Sequence, residues 1–160
     1  MSDTSPASPN DPAHDGVARE VGVTVFDRAG GLAFFDRLAE QFYVSVRTDP
    51  VLLALYPQPD DLGPAQRRLA LFLSQYWGGP TTYSDERGHP RLRMRHAAFP
   101  IDDAMRDRWL AHMNTALDAV VADWQFGASV NGSASDAARV ELVGEMRNYF
   151  VRAADHLRNV

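Results

Sequence analysis

The sequence predicts an all-helical fold. Four long stretches place apolar residues three and four positions apart, glycine and proline clusters cut these stretches from one another, and no segment alternates apolar and polar residues as a paired strand would. There is no internal repeat, and 160 residues suit one domain, a size that buries roughly two-thirds of the surface its unfolded chain exposes.

Residues 1–24 are rich in Ser, Pro, Asp and Ala and nearly free of large apolar side chains, so a mobile tail is expected ahead of a folded domain over 25–160. After Gly30 and Gly31, a first long helix runs from about Leu32 to Arg47 with Phe35, Leu38, Phe42 and Val46 on its stripe and Tyr43 beside it. Asp49 and Pro50 close that helix and open a short one ending at the Tyr56 corner, where Pro57 and Pro59 stop it. A helix from about Pro64 to Trp77 is expected to show Ala65, Leu69, Phe72, Leu73 and Tyr76 on one face, and Gly78, Gly79 and Pro80 end it. Thr81 to Arg95 is polar and without period, and reads as a functional loop because structureless connections this long are uncommon. Asp102 and Asp103 begin a long helix to about Trp124 with Met105, Trp109, Met113, Leu117 and Val120 inward. Ser133 or Ser135 then caps a last helix to about Arg158, with Leu142, Met146, Phe150, Ala154 and Leu157 inward.

Composition excludes several functions. With no cysteine there is no disulfide, thiolate metal site or thiol nucleophile. All sixteen basic residues are arginine, against 21 acidic ones, and the net charge of −5 makes a nucleic-acid partner a poor fit. The local exception is Arg87, Arg91, Arg93 and Arg95, four guanidiniums within nine residues, which read either as a solvated loop or as a site for an anionic ligand. No apolar run is long enough to span a membrane and no signal peptide is seen, so a soluble cytoplasmic protein is expected.

His96, at the end of the polar segment, is the residue this pattern singles out. His112 lies near the stripe of the long helix and is read as a packed histidine, and His14 sits in the tail. A helical metalloprotein using His89, His96 and His112 would lack any tight ligand spacing.

The blocks VTVFDRAGGLAFFDRLAEQFY, VLLALYP and YWGGPTTYSDERGHPRLRMRHAAFPI, with Trp109 thirteen residues after His96, resemble the truncated haemoglobins, and within them the group II branch of actinobacterial type. The resemblance covers about Phe26 to Leu157 and implies a two-over-two helical sandwich with an extended loop before the proximal histidine. It implies haem b as cofactor, its iron held by His96, and dioxygen, nitric oxide or another diatomic ligand as partner. Tyr43, Tyr56 and Trp109 fall on the distal positions that would act on the ligand, and Ala65 stands where many globins carry a distal His or Gln. Leu69 and Phe72 line the cavity, and Met94, Phe99 and Trp109 complete the cofactor contacts. Charge-assisted bonding to haem propionates is expected of Arg68, Tyr83 and Arg95, with Arg91 and His89 as second choices. Nitric oxide dioxygenation or peroxidase-like turnover would need a separate reductase, because the chain carries no nicotinamide or flavin fingerprint. The tail, the 126–135 segment and the Gln58-Pro59 corner depart from the family pattern, which leaves self-association open. The other reading is a haem-free helical regulatory or interaction domain on a globin scaffold.

Overall fold

The computed structural model describes residues 22–124 and 136–160, and within them the chain is helical with no strand. The helices are α1 (Val25–Ala29), α2 (Leu32–Val46), α3 (Pro50–Leu53), α4 (Gly63–Tyr76), α5 (Thr82–Arg87), α6 (Leu92–His96), α7 (Asp103–Asp123) and α8 (Asp136–Leu157). The expected tail lies outside the described residues up to position 21, as do the 126–135 segment and the Ser133 and Ser135 caps.

The architecture is the two-over-two sandwich. α2 is central: it packs on α4 on one side and on α7 on the other, and α7 pairs with α8. Its stripe explains why. Phe34, Phe35, Leu38, Phe42 and Val46 are all fully shielded, and they meet Leu73 of α4, Met113 and Leu117 of α7, and Met146 and Phe150 of α8. Burying each such side chain contributes roughly 1.5–3 kcal/mol, which is what orders these helices against one another.

Side chains in the sequence set the helix starts. The short lead-in before α2 is itself helical, because Thr24 and Asp27 form a capping box in which the Thr24 hydroxyl accepts from the Asp27 N–H at 3.1 Å and the Asp27 carboxylate accepts from the Thr24 N–H at 3.4 Å. The Asp49 carboxylate accepts from the Val51 and Leu52 N–H groups at 3.1 and 3.2 Å and starts α3 at Pro50. Asp102 does the same for α7 through the Met105 N–H at 2.8 Å. α1 docks on the end of α4 through the Phe26 N–H to the Trp77 carbonyl at 3.0 Å. Gly79 permits this approach, since a Cβ there would lie 2.6 Å from the Phe26 ring and 2.8 Å from the Ser74 carbonyl.

Two expectations need correction. The 81–95 segment is not a continuous loop, because α5 and α6 form within it. α5 is held from outside itself. The Gln75 side-chain amide pairs with the hydroxyl and N–H of Ser84 at 2.7 and 3.0 Å, Arg67 forks onto Glu86 at 2.5 and 2.7 Å, and Tyr83 is buried against Phe72. Such helices are too short to show a period. Secondly, the apolar face expected on α4 is divided: Ala70 and Leu73 are core, Ala65, Leu69 and Phe72 are half-buried, and Tyr76 is 50% exposed.

Candidate haem site

Half-buried apolar residues line the core on several sides, and one set of them falls on segments that pack on α2. Leu53 and Tyr56 from the corner after α3, Ala65, Leu69 and Phe72 from α4, and Met105, Trp109 and Leu110 from the first half of α7 all pack on the core by one side and leave the other uncovered. In α7 the change occurs within one helix, since Met113, Leu117 and Val120 further along are fully buried. An apolar surface of this kind on a folded chain marks a binding face.

His96 ends α6 and is half-buried. Its Nδ1 lies 2.7 Å from the Leu92 carbonyl, which can only accept, so Nδ1 carries the proton and Nε2 keeps a free lone pair. That fixes both the tautomer and the ring direction, as a metal-ligating imidazole requires. The segment after it is held by Asn159, two residues past the end of α8. The Asn159 side-chain amide donates to the His96 and Phe99 carbonyls at 3.2 and 2.8 Å, its Oδ1 accepts from the Ile101 N–H at 2.9 Å, and its own N–H donates to the Ile101 carbonyl at 3.0 Å.

Tyr43 is buried on α2 and meets Tyr56 edge to face with ring centroids 5.6 Å apart. Burial pushes both phenols above their ordinary range, and the Arg68 charge acts on both in the opposite sense. Trp109 lies 5.6 Å from Phe42 and 6.0 Å from Phe150, and its indole N–H has no hydrogen-bond partner among the described residues. Arg68, half-buried, likewise has no hydrogen bond or ion pair there. Tyr83 stands edge-on to Phe72 at 5.6 Å. Arg95, by contrast, is engaged: its Nε donates to the Pro90 carbonyl at 2.7 Å and its Nη2 to the Arg87 carbonyl at 2.8 Å, so it braces the turn before α6. Met94 is largely exposed and Phe99 half-buried on either side of His96.

Beneath the Tyr56 corner lies a polar cluster. The buried Asp49 carboxylate accepts from Arg108 Nη1 at 2.9 Å and pairs with His112 Nε2 at 2.6 Å, and His112 Nδ1 meets the Ser45 hydroxyl. These bonds hold the Asp49 carboxyl well below the usual carboxylate range, the His112 bond contributing most. His112 is therefore a structural tie between the α2–α3 corner and the helix that carries Trp109. Among the described residues no group of three or more His, Asp or Glu is placed to hold a metal ion, so a site built on His89, His96 and His112 does not exist.

A sequence profile of the bacterial-like globin family matches residues 24–130. The group 2 truncated haemoglobin YjbI of Bacillus subtilis is 41% identical over 90 residues, covering 56% of this chain and 67% of the relative. This chain is a group 2 truncated haemoglobin of the bacterial-like globin family. Among solved structures the globin is similar to a thermostable haemoglobin of the actinobacterium Thermobifida fusca, with 46% identity, a TM-score of 0.72, and coverage of 86% of this chain and 98% of that one. It is also similar to a haemoglobin of Chloroflexus aurantiacus, with 42% identity, a TM-score of 0.70 and coverage of 86% and 98%.

Membership brings haem, with its iron, and diatomic ligands for that iron. The residues fit the group. An imidazole of fixed tautomer has a free nitrogen, half-buried apolar side chains of α4 and α7 suit a porphyrin, and Arg68 is a cation without an ion pair among the described residues. No helix of the described residues is long and apolar enough to cross a membrane. Sequence reasoning missed Asn159 and the Asp49–Arg108–His112 cluster, because both depend on partners about 60 residues away and neither carries a local motif.

Proposed function

We propose that the globin would hold haem through His96 Nε2 and that Trp109, Tyr43 and Tyr56 would donate hydrogen bonds to dioxygen, in support of nitric oxide consumption. Bound there, the haem iron supplies the attachment point and redox chemistry for the gas. His96 would hold the iron, Arg68 and Tyr83 would receive the propionates, and Leu69, Phe72, Met94 and Phe99 would cover the ring. Arg95 supports that arrangement through the turn it braces. Ala65 offers no donor, so polarising the ligand falls to the indole and phenol groups.

The observation that carries this reading is the half-buried Trp109 indole, without a hydrogen-bond partner among the described residues, packed on Phe42, whose ring also meets Tyr43 at 5.0 Å. An indole N–H with no protein acceptor is free to donate to a ligand that arrives beside it. Each such bond contributes on the order of 1–3 kcal/mol, or roughly five- to 150-fold in dissociation rate. Nitric oxide consumption requires electrons from a separate reductase, since the chain binds no nicotinamide or flavin by any fingerprint in its sequence. The test is stopped-flow oxygen dissociation from the wild type and Trp109→Phe, followed by mixing the oxygenated protein with nitric oxide. Faster dissociation in the variant and rapid oxidation by nitric oxide are expected. An unchanged dissociation rate removes Trp109 from the reading, and a slow reaction with nitric oxide removes that activity.

The aromatic rings that lead from Trp109 towards the surface favour a second reaction at the same pocket, the reduction of hydroperoxides by one-electron donors.

A further inference from the structure

We propose that Tyr76 and Tyr149 form a surface site where small phenolic or arylamine donors are oxidised one electron at a time, connected to the haem pocket by a chain of contacting aromatic rings. This rests on the hydroperoxide reading above and assigns it a place and a donor class.

The rings make a continuous path. Trp109, on the pocket wall, lies 6.0 Å from Phe150, and Phe150 lies 5.7 Å from Trp77. Trp77 in turn is 5.0 Å from Tyr149 and 5.5 Å from Tyr76. Tyr76 and Tyr149 stack with centroids 4.0 Å apart and planes 29° from parallel. A second branch joins the pocket wall to the same end, with Phe72 6.3 Å from Tyr76. Consecutive rings within this range are in direct contact.

Chemistry gives the path a direction. Tryptophan and tyrosine are the most easily oxidised aromatic side chains, whereas phenylalanine resists oxidation and can serve only as a bridge between them. Trp77 is 8% exposed and Tyr76 50% exposed, so the oxidisable rings run from a shielded position to open solvent. A phenol that loses an electron must also lose its proton. Tyr76 can hand that proton to water, while burial makes the Tyr149 phenol harder to ionise, so the electron vacancy settles on Tyr76. The stacked partner ring spreads the vacancy and stabilises it.

The step balances. A hydroperoxide takes up two electrons and two protons and leaves as an alcohol and water, or as two waters from hydrogen peroxide. Each electron is drawn through the chain from Tyr76, whose phenolic proton passes to solvent. A donor phenol then returns an electron and a proton to the tyrosyl radical and leaves as a phenoxyl radical, two donors for each hydroperoxide. The donor need never enter the pocket, so bulk is no barrier to it.

The test uses the haem-loaded full chain and hydrogen peroxide. Freeze-quenched wild type is expected to give a tyrosyl radical signal, with spin-trap adducts mapped by mass spectrometry to Tyr76 or Tyr149. Tyr76→Phe should lose that adduct and slow oxidation of a bulky arylamine dye at least tenfold, with the peroxide-driven change in the Soret band unaltered. Adducts only on other residues, or an undiminished dye rate in Tyr76→Phe, would overturn the surface site while leaving the peroxide reaction standing. A haem-loaded protein whose spectrum ignores peroxide overturns both, and a chain that takes up no haem overturns the proposed function itself.

Discussion

The two walls of the site are held by different means. Around His96 the support is backbone: a carbonyl fixes the imidazole, Arg95 binds the turn before it through two carbonyls, and Asn159 binds the turn after it through four hydrogen bonds. On the side of Tyr43, Tyr56 and Trp109 the support is side-chain packing, with rings edge to face or tilted. The difference teaches a division of labour. Backbone hydrogen bonds fix one atom in one direction, which suits a metal ligand, whereas packed aromatics hold donors near a ligand whose position varies.

Substitutions around His96 should therefore change haem retention, and those on the aromatic wall should change ligand release. The largest effect is expected from His96→Gly, which removes the proposed attachment atom. Haem titration should show the Soret band lost or shifted, and added imidazole should restore it by filling the space. Failure of imidazole to restore the spectrum would mean that another residue can take the iron.

Next is Asp49→Ala, which leaves Arg108 and His112 facing the empty position and removes the α3 cap. A loss of about 3 kcal/mol in unfolding free energy is expected. Because the folded-state pKa of Asp49 is depressed, its contribution is present in full above the ordinary carboxylate range and is lost as pH falls towards the folded value. The gap between wild type and Asp49→Ala in chemical denaturation should thus narrow in strong acid. A gap that stays constant with pH would show the carboxylate to be unlinked from stability.

Asn159→Ala comes third, with a cost of roughly 1–2 kcal/mol from the lost side-chain hydrogen bonds. Its signature is a shifted iron–histidine stretching band in resonance Raman spectra and faster haem transfer to an acceptor protein, with oxygen dissociation little altered. The smallest effect is expected from Tyr43→Phe, whose ring stays packed against that of Tyr56, so it should speed oxygen release by only a few-fold, on the order of 1 kcal/mol. Should Tyr43→Phe exceed Trp109→Phe in stopped flow, the roles of phenol and indole are reversed.

The parts of this fold legible in the sequence are those that repeat. The stripes of α2, α7 and α8 show through four or more turns, and the glycines and prolines that separate them act locally. His96 stood out because the segment before it has no stripe and the family blocks flank it. What stayed hidden depends on distance or on brevity. α5 is ordered by Gln75 and Arg67 of the preceding helix rather than by any period of its own. Tyr76 keeps helical spacing with Leu69 and Phe72 yet points to solvent, because the core side of α4 is set by Ala70, Leu73 and Trp77. Asp49 was readable as a cap, but nothing near it in the chain announces Arg108 or His112.

The clamp at Asn159 also has a temporal consequence. A ribosome adds residues in order, and the carbonyl of His96 waits 63 positions for its amide partner. The turn that follows the imidazole is therefore among the last features to be secured, once the residues past α8 are in place. On the proposed role of His96, the iron ligand is aimed early by its own helix and clamped from behind only once Asn159 has been made.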